Sequence, residues 1–405
     1  MSCEVIIIGA GPTGLTAALA LGRAGITVTL LEAEPALTHD LRAGSFHPPT
    51  IEMLTDLGVG EAMHETGIKV PSWQIRDRQA GVVAAFDLGL IADETPFPYR
   101  LHLEQHRLTP LLLARIAAVA PSVSVRFGAE VAAVTQDDDQ ARVTLRSGES
   151  LSAAYVIGSD GARSLVRAAL GVGFEGFTWP DRFLVASTTY DLGAHGFTGA
   201  GYVADPDLWA AVFHVPDAGP PGLWRIAYPI QPEADEATEL GEPAIQGKLA
   251  TILAHAGATP PGGLFPLKYA SVYKVHQRVA DCFARGRLIL AGDAAHLNNP
   301  LGGMGLNGSV HDAVNISAKL IDILRHRAPA GPLLDLYDRQ RRPINIKAVQ
   351  AMSIRNKRLL EERDPAVRTQ RLRDISDIAA DPARAKSFLM DSSMINSVRD
   401  AAAIQ

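Results

Sequence analysis

Cysteine is almost absent from this 405-residue chain, which holds only Cys3 and Cys282. Two cysteines build neither a disulfide framework nor a thiolate metal cluster, and no metal site is expected. Such sparing use fits a reducing compartment, so the expected location is the cytoplasm. Basic residues are outnumbered, leaving a net charge of −6. Without a basic face, nucleic acid is excluded as an expected partner. Long hydrophobic runs are missing too. Nothing approaches the roughly eighteen consecutive apolar residues of a membrane span. The opening MSCEVIII has no basic segment before its short apolar run, which reads as a strand rather than a secretion signal. No internal repeat recurs at a solenoid period.

Apolar residues are abundant, at 47%, and there are 36 glycines. A chain this long outgrows one ordinary core and suits two lobes. Its first glycine cluster follows the β-branched run Glu4 to Gly9. GAGPTG places glycines at Gly9, Gly11 and Gly14, a helix is expected from about Thr13 to Ala24, and a second strand, TVTLLE, ends in Glu32. Gly9 permits a tight turn, Gly11 lets a pyrophosphate approach the backbone, and Gly14 lets helix and strand pack closely. The helix start offers free N–H groups to phosphate, and Glu32 stands where it can accept from a ribose hydroxyl. The acid disfavours a 2′-phosphate there; NAD and FAD both remain open.

A second cluster is GDAAHLNNPLGGMGLNG, residues 292–308, between the strand-like RLILA and a long helical pattern. It is too long and too glycine-rich for an ordinary turn, and reads as backbone lying flat against something other than protein. Between the two clusters, AYVIGSDGARSLVRAALG (154–171) is a further strand, turn and helix, with Asp160 and Gly161 at the turn and Arg163 and Arg167 opening the helix.

In order and spacing these three stretches resemble the FAD-dependent aromatic hydroxylases, the single-component flavoprotein monooxygenases typified by para-hydroxybenzoate hydroxylase. The resemblance implies an α/β fold: a Rossmann-like FAD-binding domain with an inserted antiparallel-sheet substrate domain and a helical C-terminus. It assigns 1–70, 100–180 and 280–345 to the FAD domain, 71–99 and 181–279 to the substrate sheet, and 346–405 to terminal helices. Gly9, Gly11, Gly14 and Glu32 would hold the ADP half of FAD. Arg42 would reach the pyrophosphate, Gln105 the ribityl and flavin region, and Asp160 both FAD and the nicotinamide donor. Asp293 would accept from the ribityl chain. Pro300 would lie beside the flavin, Gly303 and Gly305 along it, and the Leu306 and Asn307 amides at its pyrimidine edge, with the helix starting just after Asn307. Met304 stands where many relatives carry Gln or Lys, so the type member's substrate is not carried over.

The implied chemistry is NAD(P)H reduction of FAD, addition of dioxygen to give a flavin 4a-hydroperoxide, and hydroxylation of a phenolic or heteroaromatic small molecule. NADH and NADPH are not distinguished. His47, His214 and Tyr228 are candidates for handling the substrate's proton. Tyr202, Phe213 and Trp224 are candidate pocket walls. His296 and His311 read as structural. The charges of the terminal helices read as a solvated face, and the assembly as a monomer or homodimer. A flavin dehydrogenase or reductase without oxygen insertion is the nearest alternative. A halogenase is disfavoured by the lack of any W-x-W, and a nucleotide-binding regulator without turnover by the intact flavin stretch.

Overall fold

A computed structural model describes residues 3–39 and 44–405. The first strand, Cys3–Ile8, lies at the centre of an eight-stranded sheet, in parallel register with Val28–Leu31 on one side and Ser150–Gly158 on the other. Val123–Arg126 and Leu288–Leu290 extend the parallel run at its two sides. Such a sheet is covered on both faces, which is why Val5 to Ile8 and Leu288 to Leu290 are unbroken runs of Val, Ile and Leu. The helix Pro12–Arg23 is buried almost throughout, and Pro12 occupies its first turn, where a missing N–H does no harm. A hairpin, Val131–Gln136 with Ala141–Leu145, hangs from Ser150–Gly158. Its turn is closed by the Asp137 carboxylate, which accepts from the amides of Asp139 and Gln140.

A second eight-stranded sheet runs in the order His296–Leu297, Leu267–Ala280, Phe174–Thr188, Leu223–Ile230, Ala210–Val215, Ala200–Ala204, Ser72–Asp77, Gly81–Asp87. One pairing departs from the antiparallel expectation. Ala200–Ala204 runs parallel to Ser72–Asp77, because the 72–87 hairpin enters from a distant part of the chain. The expected boundaries near 180 and 280 fall inside, or at the end of, two long strands, Phe174–Thr188 and Leu267–Ala280. No loose linker divides the lobes there. A small third sheet, Ser45–Phe46, Arg100–His102 and Ile68–Val70, carries two further segments of interest.

The chain's later part is helical: Met304–His326, Ala330–Ile344, a π-turn at Asn345–Gln350, Ala351–Leu360, Pro365–Ala380, Pro382–Ser392 and Ile395–Ala403. Pro365 and Pro382 start helices rather than merely interrupting one, each behind an aspartate cap, Asp364 and Asp381. The terminal helices also carry an apolar side. Leu360, Ile375, Leu389 and Met390 share a core with Trp73, Tyr202 and Phe86 of the second sheet, so the tail covers one of that sheet's faces. The opposite face packs on the helix Glu242–Leu253. No helix among the described residues is long and apolar enough to cross a membrane.

Candidate active site

The first glycine turn is shaped by two different demands. Gly9 has φ of +104°, and a Cβ there would run into the Ser159 carbonyl; a Cβ on Gly14 would run into the Gly9 carbonyl. Both glycines are required by the protein's own packing. Gly11 is not: its φ is −70° and a Cβ there would meet nothing within 4 Å. Nothing in the described protein requires glycine at 11, and the open space there admits a group that comes up to this backbone. Glu32 turns back onto the same loop, where Oε2 accepts from the Ala10 amide at 2.7 Å and Oε1 from Glu34 at 3.0 Å.

Asp160 caps the helix after its turn, Oδ2 accepting from the Leu165 amide at 2.7 Å. Its other oxygen is buried without a partner, and burial raises the carboxyl above its ordinary range. An unpartnered buried oxygen beside an open glycine loop fits a hydroxyl-bearing nucleotide. Arg167 donates to the Ala294 carbonyl at 2.9 Å, tying this turn to the Gly292 corner.

That corner is held by a residue the sequence reading did not single out. Asp312, fully buried, accepts from the Gly292 amide (3.1 Å) and His296 Nε2 (2.7 Å) through one oxygen and from Arg341 Nε (2.7 Å) through the other. Arg341 and His296 hold its carboxyl at about 2 against the pull of burial. His296 is thus structural, as is His311, whose ring nitrogen meets the Thr50 hydroxyl at 2.8 Å. An acid on the apolar face of a helix, four residues before Ile316, was the available signal. Asp293 stands exposed on the corner, and Pro300 is likewise exposed beyond it.

The long helix begins at Met304, not after Asn307, with Gly303 as its N-cap at φ +67°. The free amides at such a start are those of the first turn, which include Gly305 and Leu306 but not Asn307. Asn307 instead uses its side chain. Oδ1 accepts from the His47 amide at 2.8 Å and Nδ2 donates to the Ser45 carbonyl at 2.8 Å. The His47 ring, fully buried, donates from Nε2 to the Gly302 carbonyl at 2.9 Å. Its Nδ1 is left without a partner, and burial together with Arg100 keeps the imidazole well below its usual pKa. His47 is therefore brought to the glycine loop as a neutral ring. Arg42 lies outside the described residues, and Gln105 opens the helix Gln105–Val119 half-buried.

Strand parity separates the remaining candidates. Tyr202 and Phe213 share one face of the second sheet, with ring centroids 6.4 Å apart. Trp73 is on the same face, 6.2 Å from Tyr202. His214, Trp224 and Tyr228 point the other way. His214 stacks on Trp224 at 4.5 Å, and Trp224 and Tyr228 are in the core against the helix Glu242–Leu253. These three, expected at the site, are corrected to the far face. On the Tyr202 face lies a cavity of about 590 Å³ between the sheet and the tail helices, lined by Trp73, Tyr202, Asn356, Ile375 and Phe388 among others. Asn356 also donates to the Leu301 carbonyl, next to Gly302, at 3.4 Å.

Comparison with known proteins gives concordant results. Residues 2–352 match the family model for an FAD binding domain. The para-nitrophenol 4-monooxygenase of Pseudomonas sp. (strain WBC-3) is 34% identical over 98% of this chain and 96% of its own length. The 6-hydroxy-3-succinoylpyridine 3-monooxygenase of Pseudomonas putida is 32% identical over 90% and 91%. Among solved structures, the p-nitrophenol 4-monooxygenase from Pseudomonas putida DLL-E4 superposes with a TM-score of 0.90 at 32% identity, covering 98% of both chains.

Proposed function

Because this chain belongs to the FAD-dependent aromatic hydroxylases, and is a flavoprotein monooxygenase of phenolic compounds, we propose that its substrate is a single-ring phenol or hydroxypyridine substituted para to the hydroxyl. The names of both relatives place the new oxygen on the ring carbon para to the hydroxyl, the carbon that bears the nitro or succinoyl group. The observation that carries the reading to this chain is the aromatic face of Trp73, Tyr202 and Phe213 beside the Gly302 loop. The second sheet is read as the substrate wall.

FAD, reduced by NADH or NADPH, supplies activated oxygen, while the chain supplies position, charge and exclusion of water. Gly9, Gly11, Gly14 and Glu32 take the ADP half, Asp160 and Asp293 the middle, and Pro300 with Gly303, Gly305 and Leu306 the ring. No second dinucleotide fingerprint occurs, so the nicotinamide donor is read as a transient visitor. Nothing in the relatives favours the dehydrogenase alternative.

The test is NADH and NADPH oxidation by the FAD-loaded protein under labelled dioxygen, with 4-nitrophenol, 4-hydroxybenzoate and 6-hydroxynicotinate as probes. At least one should accelerate oxidation and yield a product with one labelled oxygen at the para carbon. Label found only in peroxide and water for all three would sink the proposed substrate class.

A further inference from the structure

Five cationic side chains are buried among the described residues: Arg76, Arg100, Lys319, Arg341 and Lys357. Four are accounted for. Arg341 pairs with Asp312, Lys357 with Asp181 and Glu361, Lys319 bonds Asn315 and Gln340, and Arg76 bonds Gln74 and the Gly196 carbonyl. Arg100 is 4% exposed, yet its Nε has no partner, and no carboxylate or carbonyl bonded to its guanidinium is found among the described residues.

Its surroundings are polar but neutral. The guanidinium carbon lies 5.3 Å from the centre of the Trp73 ring, and Tyr202 meets the same ring edge-on. The Gly302 amide faces the Tyr202 hydroxyl without closing a hydrogen bond. His47 and His102 are the titratable groups within electrostatic reach on the neighbouring loop and strand, and Arg100 helps hold both uncharged. Trp73 Nε1, the Tyr202 hydroxyl, His47 Nδ1 and His102 Nε2 are all buried without partners. His102 Nδ1 is spent on the His214 carbonyl, at 2.8 Å. Unpaired donors and acceptors from separate segments thus gather around one uncompensated cation, beside the glycine loop.

A buried charge without a counter-ion carries a large desolvation penalty, so a site like this is built for an anion that arrives from outside. We propose that Arg100 binds the substrate as its oxyanion, receiving the ionised ring oxygen of a phenolate or hydroxypyridinolate. This rests on the phenolic reading above. It also changes the part His47 plays. A neutral ring with so depressed a basicity is poorly suited to strip the proton, and an arginine that selects the ionised substrate removes the need. An ionised oxygen donates into the ring and enriches the para carbon, the position the proposed reaction oxygenates.

The experiment uses the FAD-loaded wild type and the variants Arg100→Gln and Arg100→Lys. Bound 4-nitrophenol reports its own ionisation by absorbance. Wild type should show the phenolate band below the free phenol's titration midpoint, and its apparent affinity for total phenol should fall about tenfold per pH unit there. Arg100→Gln should weaken binding at least 100-fold, Arg100→Lys should recover part of it, and 4-nitroanisole, which cannot ionise, should bind all three equally. Benzoate, followed by its perturbation of the flavin spectrum, is the turnover-independent probe, with a loss of at least 30-fold expected in Arg100→Gln. If no phenol is hydroxylated but benzoate binding still depends on Arg100, the substrate reading fails and the anion site stands. Neutral 4-nitrophenol bound to wild type overturns the proposal even if no variant folds, and so does undiminished phenolate binding by FAD-loaded Arg100→Gln.

Discussion

Gly11 and Gly14 stand three residues apart in one motif, and single-residue substitution separates their duties. Alanine at 14 has to displace the Gly9 carbonyl, whereas alanine at 11 meets open space in an ordinary backbone conformation. Gly11→Ala should leave apoprotein stability within about 0.5 kcal/mol of wild type while weakening FAD at least tenfold in a fluorescence titration. Gly14→Ala should cost more than about 2 kcal/mol in urea unfolding of the apoprotein. Equal losses of stability in the two variants would refute this division. At this scale the sequence was most readable, because a dinucleotide loop demands particular residues at fixed offsets. Asp312 and Arg100 escaped notice for a physical reason. The meaning of a buried charge depends on its partner, and Arg341 comes 29 residues after Asp312, while no carboxylate bonded to Arg100 is found among the described residues.

Among elements, the second sheet shows where sequence reading stops. Its strands are recognisable from alternation and aromatic content, but alternation fixes only that successive side chains face opposite ways. Which set faces the pocket depends on what packs on each side, and the tail helices decide it. Hence Tyr202 and Phe213 join Trp73, while His214, Trp224 and Tyr228 turn to the other core. The hydroxyls of Tyr202 and Tyr228 are both buried without partners, so each Phe substitution should be nearly neutral or mildly stabilising. Their kinetics should differ. Tyr202→Phe should change KM or kcat for the active phenol about tenfold or more, and Tyr228→Phe should change neither by more than about twofold. A kinetic effect at Tyr228 equal to that at Tyr202 would contradict the parity assignment.

For the whole molecule, pH should act through three imidazoles buried in neutral form. His102 is held at about 4, His311 at about 3, and His47 well below its usual value, in each case chiefly by burial. Unfolded, each takes up a proton near pH 6.5, which the native state refuses until far lower pH. Because the unfolded chain then binds more protons, stability is greatest above about pH 6.5 and falls as pH drops. Each ring contributes about 1.4 kcal/mol per pH unit, or about 4 kcal/mol for the three together. Urea unfolding of the apoprotein at pH 7.5, 6.0 and 5.0 should show that slope, reduced by about a third in His311→Asn. A midpoint unchanged down to pH 5.0 would refute it. The two-lobed plan itself was foreseeable from length and motif order. The cover provided by the tail was not, because its few apolar positions, among them Leu360, Ile375 and Leu389, are scattered through charged helices.

The pinning of Gly292 by Asp312, and of Asp312 by Arg341, also has a meaning in time. The turn at Gly9 leaves the ribosome long before Arg341 does, yet the corner opposite it is not locked until residue 341 has been made. At ordinary rates of synthesis that interval is on the order of tens of seconds. Through it the nascent chain holds the start of a nucleotide site without the means to close it. Closure of that corner is therefore a late event in synthesis, and a chain truncated before Arg341 keeps the glycine fingerprint but loses the arginine that holds Asp312.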